Sequence, residues 1–174
     1  FNSNYGQYFF GEQNQFDTIV SILSQDRDSR RASVLLLTKE HVCSETKDVP
    51  CTYAVNFRIR NNRLNMTVRM RSQDAIYGMG NDLPTFSFIH EMMYNSLLEF
   101  YPDLVYGTYH HSVDSYHVYE RHYDMLLQIV KGAPFVQVEC PKMSGHEEVK
   151  FLRAMKFEDI PEKFEFTRWL TLTV

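Results

Sequence analysis

One cysteine stands where a nucleophile could act. Cys51 follows Pro50 at the start of an alternating apolar stretch, so a residue of fixed backbone geometry lies directly before a thiol at the end of an element. A thiolate placed there can attack an electrophilic carbon. The competing interpretation is a small buried hydrophobic residue, which is the ordinary state of a free cysteine. The surrounding motifs have to decide between the two.

Arginines beside element ends are candidates for binding a phosphate. Arg30 and Arg31 follow Ser29 directly before an apolar run, and Arg71 with Ser72 closes a later alternating stretch. Guanidinium groups stay charged and match phosphate oxygens, and a hydroxyl can complete the shell. Solvated surface charge is the alternative for either group of residues taken alone.

Three further polar side chains are candidates for ligand contacts. His117 and Tyr119 are two residues apart, so they share a face if the backbone is extended and diverge if it is helical. On one face they could bind ribose hydroxyls; otherwise they cap elements or complete core hydrogen bonds. Asp82 stands directly before a helical pattern that starts at Leu83, where a carboxylate makes a good N-cap. Capping and ligand recognition are compatible.

The elements that carry these residues follow from the hydrophobic pattern. It predicts first an amphipathic helix over 13–24, a strand covered on both faces over 33–37 and a β-hairpin of 53–60 and 64–70. A long helix over 83–100 follows, with Pro84 in its first turn. After it the pattern predicts an extended segment over 105–113, a helix over 117–130 and further strands in the tail. The whole is a mixed α/β (α+β) fold.

Composition bounds the class of protein. The 174 residues are 44% hydrophobic and 14% aromatic, which supplies one packed core and predicts a single domain over 1–174. A formal net charge of −4 argues against nucleic acid as a partner. No apolar stretch has membrane-spanning length, which predicts a cytoplasmic protein without a membrane partner. Three cysteines without CxxC spacing predict neither disulfides nor a metal site.

The order of these motifs resembles that of the thymidylate synthases. The resemblance covers about Asn2 to Lys131 and implies a thymidylate synthase-like fold, a mixed sheet with flanking helices in which one sheet face forms a homodimer interface. It also implies that part of the domain, including the family's catalytic glutamate, belongs before Asn2. The motifs that carry it are Tyr5-Gly6, Ser29-Arg30-Arg31, Pro50-Cys51, Arg71-Ser72-Gln73-Asp74, Gly78, Asp82 and His117-Val118-Tyr119.

Within that superfamily the sequence is more similar to the hydroxymethylase branch, which includes the phage deoxycytidylate (dCMP) hydroxymethylases and cytidylate hydroxymethylases. Residues 2–6 are similar to that branch, Thr52 follows Cys51 where synthases usually carry His, and residues 78–82 end in Asp82 where synthases end in Asn. An amide matches the N3–H and O4 of uracil, whereas a carboxylate matches the amino group and N3 of cytosine. One mismatched buried contact costs about 1–3 kcal/mol, enough for roughly tenfold discrimination.

The resemblance implies transfer of a one-carbon unit from 5,10-methylenetetrahydrofolate, a co-substrate, to C5 of a pyrimidine nucleoside monophosphate. The product expected is hydroxymethylated dCMP or CMP, and the choice between ribose and deoxyribose stays open. Cys51 would add to C6, Tyr5 would assist proton removal at C5, and Asp82 would read the base. Asp74 would contact the folate. No metal is implied.

The remaining contacts implied by the resemblance concern the sugar and the phosphate. Arg71 and Ser72 would hold the phosphate from the same subunit, while Arg30 and Arg31 would reach it across a homodimer interface. His117 and Tyr119 would bind the sugar hydroxyl.

Two other functions stay open. One is a dUMP hydroxymethylase or a true thymidylate synthase, in which Asp82 is protonated or serves mainly as a cap. The other is a non-catalytic nucleotide-binding relative. A phage-encoded protein would act in the host cytoplasm. Residues 140–174 receive no predicted role.

Overall fold

The computed structural model describes residues 4–132, 134, 137–154 and 157–172. The strands are β1 (Ser33–Leu35), β2 (Thr52–Arg60), β3 (Arg63–Met70), β4 (Gln73–Asp74), β5 (Val105–Val113) and β6 (Tyr116–His117). The α-helices are α1 (Tyr5–Phe10), α2 (Gln15–Gln25), α3 (Lys39–Val42), α4 (Tyr77–Leu97), α5 (Tyr123–Val130), α6 (His146–Arg153) and α7 (Glu165–Leu172), and a 3₁₀ turn spans Glu120–His122.

A four-stranded mixed sheet forms the centre of the molecule, in the order β1-β2-β3-β5. β2 pairs antiparallel with β1 and β3, whereas β5 runs parallel to β3. The short strands β4 and β6 form a separate parallel pair. The predicted mixed sheet with flanking helices is therefore confirmed.

The hairpin of β2 and β3 turns at Asn61 and Asn62. Both asparagines have left-handed backbone angles, with φ of 51° and 59°, as the tight two-residue turn of a hairpin requires. Asn tolerates this conformation better than most residues. Arg60 pairs with Arg63 next to the turn, so the predicted hairpin is confirmed.

One face of the sheet packs against helices α1, α2 and α4. Each fully buried large apolar side chain contributes about 1.5–3 kcal/mol of hydrophobic free energy. The buried residues of the sheet and of the two longer helices are Val34, Val55, Phe57, Ile59, Leu64, Met66, Val68, Met70, Phe16, Ile19, Leu23, Phe86, Ile89, Met93 and Leu97.

The opposite face of the sheet is open in the single chain. Leu35 on β1 is 56% exposed, whereas the neighbouring Val34 is buried. The prediction of a strand covered on both faces is therefore wrong for one chain taken alone, because among the described residues Leu35 stays more than half exposed.

Helix α4 begins six residues earlier than predicted. Asp82 and Pro84 lie inside the helix rather than at its start, so the predicted N-cap role of Asp82 and the first-turn position of Pro84 are wrong. The start is stabilised by Asp74 instead: its Oδ2 accepts hydrogen bonds from the backbone N–H groups of Tyr77 at 2.8 Å and Gly78 at 3.2 Å. A carboxylate there also complements the helix dipole.

The described tail is helical, so the predicted strands there are wrong. Glu148 on α6 is fully buried. It accepts hydrogen bonds from Ser144 N–H at 2.6 Å and from the N–H and hydroxyl of Thr167 at 2.9 and 3.0 Å. Phe166 on α7 meets Phe88 of α4 with ring centres 5.0 Å apart. In the described part of the chain, no helix is both long and apolar enough to cross a membrane.

Candidate active site

Cys51 lies directly before β2 and is half-buried. Its carbonyl oxygen accepts a hydrogen bond from the backbone N–H of Arg71 at 2.8 Å. The Arg71 guanidinium donates to the carbonyls of Pro50 at 3.1 Å and Val49 at 3.0 Å. Arg71 therefore holds the segment that presents the thiol, a contact that the sequence motif did not reveal.

Tyr5 on α1 is half-buried and stacks on Phe86, with ring centres 5.9 Å apart. Burial raises the pKa of the Tyr5 hydroxyl; Thr52 beside it opposes the rise, and negative charge on Cys51 and Asp82 adds to it. Of the three predicted catalytic side chains, Cys51 and Asp82 therefore both lie within electrostatic range of Tyr5.

Asp82 is half-buried on α4 and is held by Gln73, a residue of the Arg71–Asp74 motif to which the sequence assigned no role. Its Oδ2 accepts a hydrogen bond from Gln73 Nε2 at 3.0 Å. Burial raises the pKa of the Asp82 carboxyl, and the Gln73 hydrogen bond opposes that rise. Gln73 is itself buried, and its Oε1 lies 2.5 Å from His111 Nε2. Tyr109 completes the chain with its hydroxyl 2.5 Å from His111 Nδ1.

Asp74 joins the start of α4 to the strand pair β4 and β6. Its Oδ1 is buried and lies 3.9 Å from His122 Nδ1. Burial alone would raise the pKa of the Asp74 carboxyl. Hydrogen bonds from three backbone N–H groups and the nearby His122 outweigh burial and hold the pKa below its ordinary value; the N–H groups are those of Gly78, Tyr77 and Ile76. A negative charge is thus maintained beside the site. Contact of Asp74 with a folate stays a prediction.

His117 and Tyr119 lie on extended backbone, before the helix that was predicted to include them. His117 is on β6, where it pairs with Asp74, and helix α5 begins only at Tyr123. The rings of His117 and Tyr119 meet edge to face with centres 5.0 Å apart. The two side chains therefore share a face, as the sugar-binding interpretation requires, and the Arg121 guanidinium covers the Tyr119 ring at 4.4 Å.

The predicted phosphate-binding residues fall into two groups. Ser72 lies half-buried between Arg71 and β4, beside the segment that carries Cys51. Arg30 and Arg31 are exposed before β1. A cavity of about 640 Å³ on the open sheet face is lined by Arg30 together with Ser33, Asn56, Arg58, Arg60 and His110. One chain therefore does not bring Arg30 to Cys51.

Comparison with known proteins decides the family. A family model described as thymidylate synthase matches residues 3–165. The chain belongs to the thymidylate synthase family. The thymidylate synthase-like fold is confirmed by a thermostable thymidylate synthase A from Bacillus subtilis, with a TM-score of 0.59 and 23% identity over 72% of this chain and 43% of that one.

Two similar relatives in the thymidylate synthase family are phage hydroxymethyltransferases. Deoxycytidylate 5-hydroxymethyltransferase of Enterobacteria phage T6 is 32% identical over 131 residues, 70% of this chain and 53% of that protein. Deoxyuridylate hydroxymethyltransferase of Bacillus phage SP01 is 28% identical over 154 residues, 84% of this chain and 39% of that protein. The chain spans about half the length of the curated relatives it matches. The predicted resemblance to this family and its hydroxymethylases is confirmed.

The site gathers groups of complementary chemistry at one end of the sheet: a thiol, a phenol and a carboxylate on separate elements, with arginine and hydroxyl groups beside them. Within the described residues, no group of three or more His, Cys, Asp or Glu side chains could hold a metal ion. The arrangement brings a potential nucleophile near groups that can hold or move a proton.

Proposed function

We propose that the protein transfers a one-carbon unit from 5,10-methylenetetrahydrofolate to C5 of a cytosine nucleotide, dCMP or CMP, and releases the hydroxymethylated product. Family membership supports the one-carbon chemistry. The half-buried Asp82 carboxylate, within electrostatic range of Tyr5, is the observation that carries the choice of base.

The proposed reaction starts with addition of the Cys51 thiolate to C6 of the pyrimidine, which makes C5 nucleophilic. C5 then bonds to the methylene carbon of the folate co-substrate. Loss of the C5 proton to solvent beside the Tyr5 hydroxyl, and departure of tetrahydrofolate, leave an exocyclic methylene group. Addition of water to that methylene and release of Cys51 from C6 yield the hydroxymethyl product. Asp74 is the proposed folate contact.

Asp82 supports cytosine because a carboxylate accepts a hydrogen from the exocyclic amino group and can share a proton with ring N3. Uracil presents oxygen O4 to the same group, and two acceptors repel. Asn at this position would suit uracil instead. A mismatch of this kind costs about 1–3 kcal/mol.

A uracil nucleotide is the second candidate substrate, and one observation favours it. Burial raises the pKa of the Asp82 carboxyl, and a protonated Asp82 would donate a hydrogen bond to O4. The similar SP01 protein is named as a deoxyuridylate hydroxymethyltransferase. Hydroxymethylation or methylation of dUMP is therefore the alternative outcome of the same chemistry.

The nucleotide is proposed to bind between two copies of the chain. Arg71 and Ser72 would contact the phosphate from the subunit that carries Cys51, and His117 and Tyr119 would bind the sugar. Arg30 and Arg31 would come from the second subunit. The open sheet face, with exposed Leu35, supports a homodimer formed through that face. A single domain and a cytoplasmic location stay predictions.

The first experiment is to determine the mass of the product after incubation with methylenetetrahydrofolate and, separately, dCMP, CMP and dUMP. Hydroxymethylated cytidylate is the expected result. Hydroxymethylated or methylated uridylate would establish the second candidate and refute the base choice. The two cytosine substrates also decide between ribose and deoxyribose.

A non-catalytic nucleotide-binding protein is the candidate from another class, and Cys51→Ala separates it from an enzyme. An enzyme loses turnover in this variant but keeps nucleotide affinity, because the phosphate and sugar contacts remain. Binding by an unmodified protein that forms no product with any of the three nucleotides would favour the non-catalytic class.

A further inference from the structure

A hydrogen-bonded chain of four side chains ends on the carboxylate proposed to read the base. It runs from Tyr109 and His111 on β5 through Gln73 on β4 to Asp82 on α4. The successive contacts are 2.5 Å, 2.5 Å and 3.0 Å. Gln73 is 3% exposed, so its amide is shielded from water and must find its partners inside the protein.

The direction of donation along this chain is set by its first member. Among the described residues, the Tyr109 hydroxyl has no hydrogen-bond partner other than His111 Nδ1. Within the described part of the protein, its hydrogen finds an acceptor when it points at Nδ1, which makes Nδ1 an acceptor and places the ring hydrogen on Nε2. Burial raises the pKa of Tyr109, so the phenol keeps this hydrogen. Burial lowers the pKa of His111, so the ring stays neutral.

The Gln73 amide then has one favourable orientation. His111 Nε2–H donates to its Oε1, so its Nε2 faces Asp82 and donates to Oδ2. A flipped amide would set its own N–H groups against the N–H of His111, two donors without an acceptor. Oδ2 of Asp82 therefore receives a hydrogen bond and does not carry a proton. Oδ1 has no partner among the described residues and is left for the ligand.

We propose that Gln73 and His111 are positioning residues that set the base preference by allowing Asp82 only one protonation pattern. This inference rests on the proposed function. Oδ2 can only accept, and a proton shared with the ligand resides at Oδ1. Cytosine matches this pattern with its amino group opposite Oδ2 and N3 opposite Oδ1. Uracil in the same placement presents an acceptor to Oδ2 and a donor to Oδ1, the reverse of what the carboxyl offers.

The test compares the affinities for dCMP and dUMP of the wild type and of variants that change one of the four hydrogen-bonded side chains. His111→Phe removes the ring hydrogen donor but keeps an aromatic ring beside Tyr109. We expect the dCMP to dUMP affinity ratio to fall about tenfold, because the Gln73 amide becomes free to flip. Tyr109→Phe, which releases the ring tautomer, should lower the ratio in the same direction.

Two control variants separate a positioning role from a general loss of the fold. His111→Gln keeps an amide N–H near the position of ring Nε2 and should restore most of the wild-type ratio. His146→Phe makes the same substitution on α6, at a residue outside the proposed site, and should leave the ratio unchanged. A loss of fold lowers both affinities together and does not move their ratio.

The outcomes distinguish the two proposals. If the wild type prefers dCMP and this preference persists in His111→Phe and Tyr109→Phe, then Gln73 and His111 do not set the base preference. The proposal that the protein selects cytosine is unaffected by that result. If the wild type binds both nucleotides equally, or prefers dUMP, the proposed selection of cytosine is wrong, and the positioning role of Gln73 and His111 is wrong with it. A preference lost in both variants and kept in both controls supports the inference.

Discussion

Asp82 combines two properties that favour discrimination between bases. It is partly removed from water, which strengthens each hydrogen bond it makes, and one of its oxygens is already held by Gln73. A fully solvated carboxylate would rotate and rehydrate at little cost. The fixed carboxyl instead presents a defined set of donors and acceptors, so a wrong base leaves an unmatched polar contact.

Replacement of Asp82 by Asn tests the base-reading role directly. The amide offers one acceptor and one donor, which matches uracil when its NH2 group takes the place of Oδ2 and faces O4 while its oxygen faces N3–H. Gln73, which donates to Oδ2 in the wild type, must then turn its own oxygen toward that NH2 group. We expect the cytosine to uracil ratio of kcat/KM to fall by at least about tenfold. Steady-state rates with dCMP and dUMP check this. An unchanged ratio would mean that Asp82 does not read the base.

At the scale of elements, helix α4 and strand β3 are joined by His90. This residue is fully buried, and its Nε2 donates to the Leu64 carbonyl at 2.9 Å. Burial lowers its pKa below the ordinary value of 6.5, while the Leu64 hydrogen bond opposes the shift. The folded chain thus keeps His90 neutral, whereas the unfolded chain takes up a proton as the pH falls through 6.5. The unfolded state then binds more protons, and stability falls with falling pH.

His90→Gln retains a donor for Leu64 but does not titrate. We expect the free energy of unfolding to decrease less between about pH 7 and pH 5 in this variant than in the wild type. Urea titrations at several pH values measure the difference. Parallel pH profiles for the two proteins would show that His90 does not contribute to the pH dependence.

Strand β5 depends on a glycine where its register with β3 shifts. A Cβ atom at Gly107 would lie 2.2 Å from the Leu64 carbonyl oxygen. Gly107→Ala should therefore destabilise the fold by about 1–3 kcal/mol, measured by urea unfolding. Gly80→Ala is the matched control, since nothing lies within 4 Å of its Cβ and alanine favours a helix. Equal effects of the two substitutions would contradict the steric explanation.

The hairpin was predicted well from its local pattern, whereas the start of α4 and the contacts of Asp82 were not. Asn61 and Asn62 mark the hairpin by their own conformational preference. Asp82 and Pro84 imitate a helix start, but the Asp74 carboxylate, folded back onto the helix, moves the true start to Tyr77. The roles of Gln73 and His111 gave no local signal in the sequence. Their roles arise from the pairing of residues 38 positions apart in the chain.

At the scale of the whole molecule, the chain places Arg30 and Arg31 where they cannot complete its own site. They precede β1 at the end away from Cys51, because β1 pairs with β2 in a register that sets Ser33 against Asn56 and Leu35 against Ala54. The same face of the sheet is open. A second copy packed there would bury Leu35 and bring a cationic cluster toward the site of its neighbour, as the proposed homodimer requires.

Subunit mixing tests this arrangement. Cys51→Ala lacks the nucleophile, and the double variant Arg30→Ala with Arg31→Ala lacks the proposed cross-subunit arginines, so we expect each to have little activity alone. If the arginines act across the interface, a hybrid dimer contains one site with both Cys51 and two arginines. Random exchange of equal amounts makes half of the dimers hybrid, so about a quarter of the wild-type activity should return. If the arginines act within their own subunit, no hybrid site is complete and mixing restores nothing.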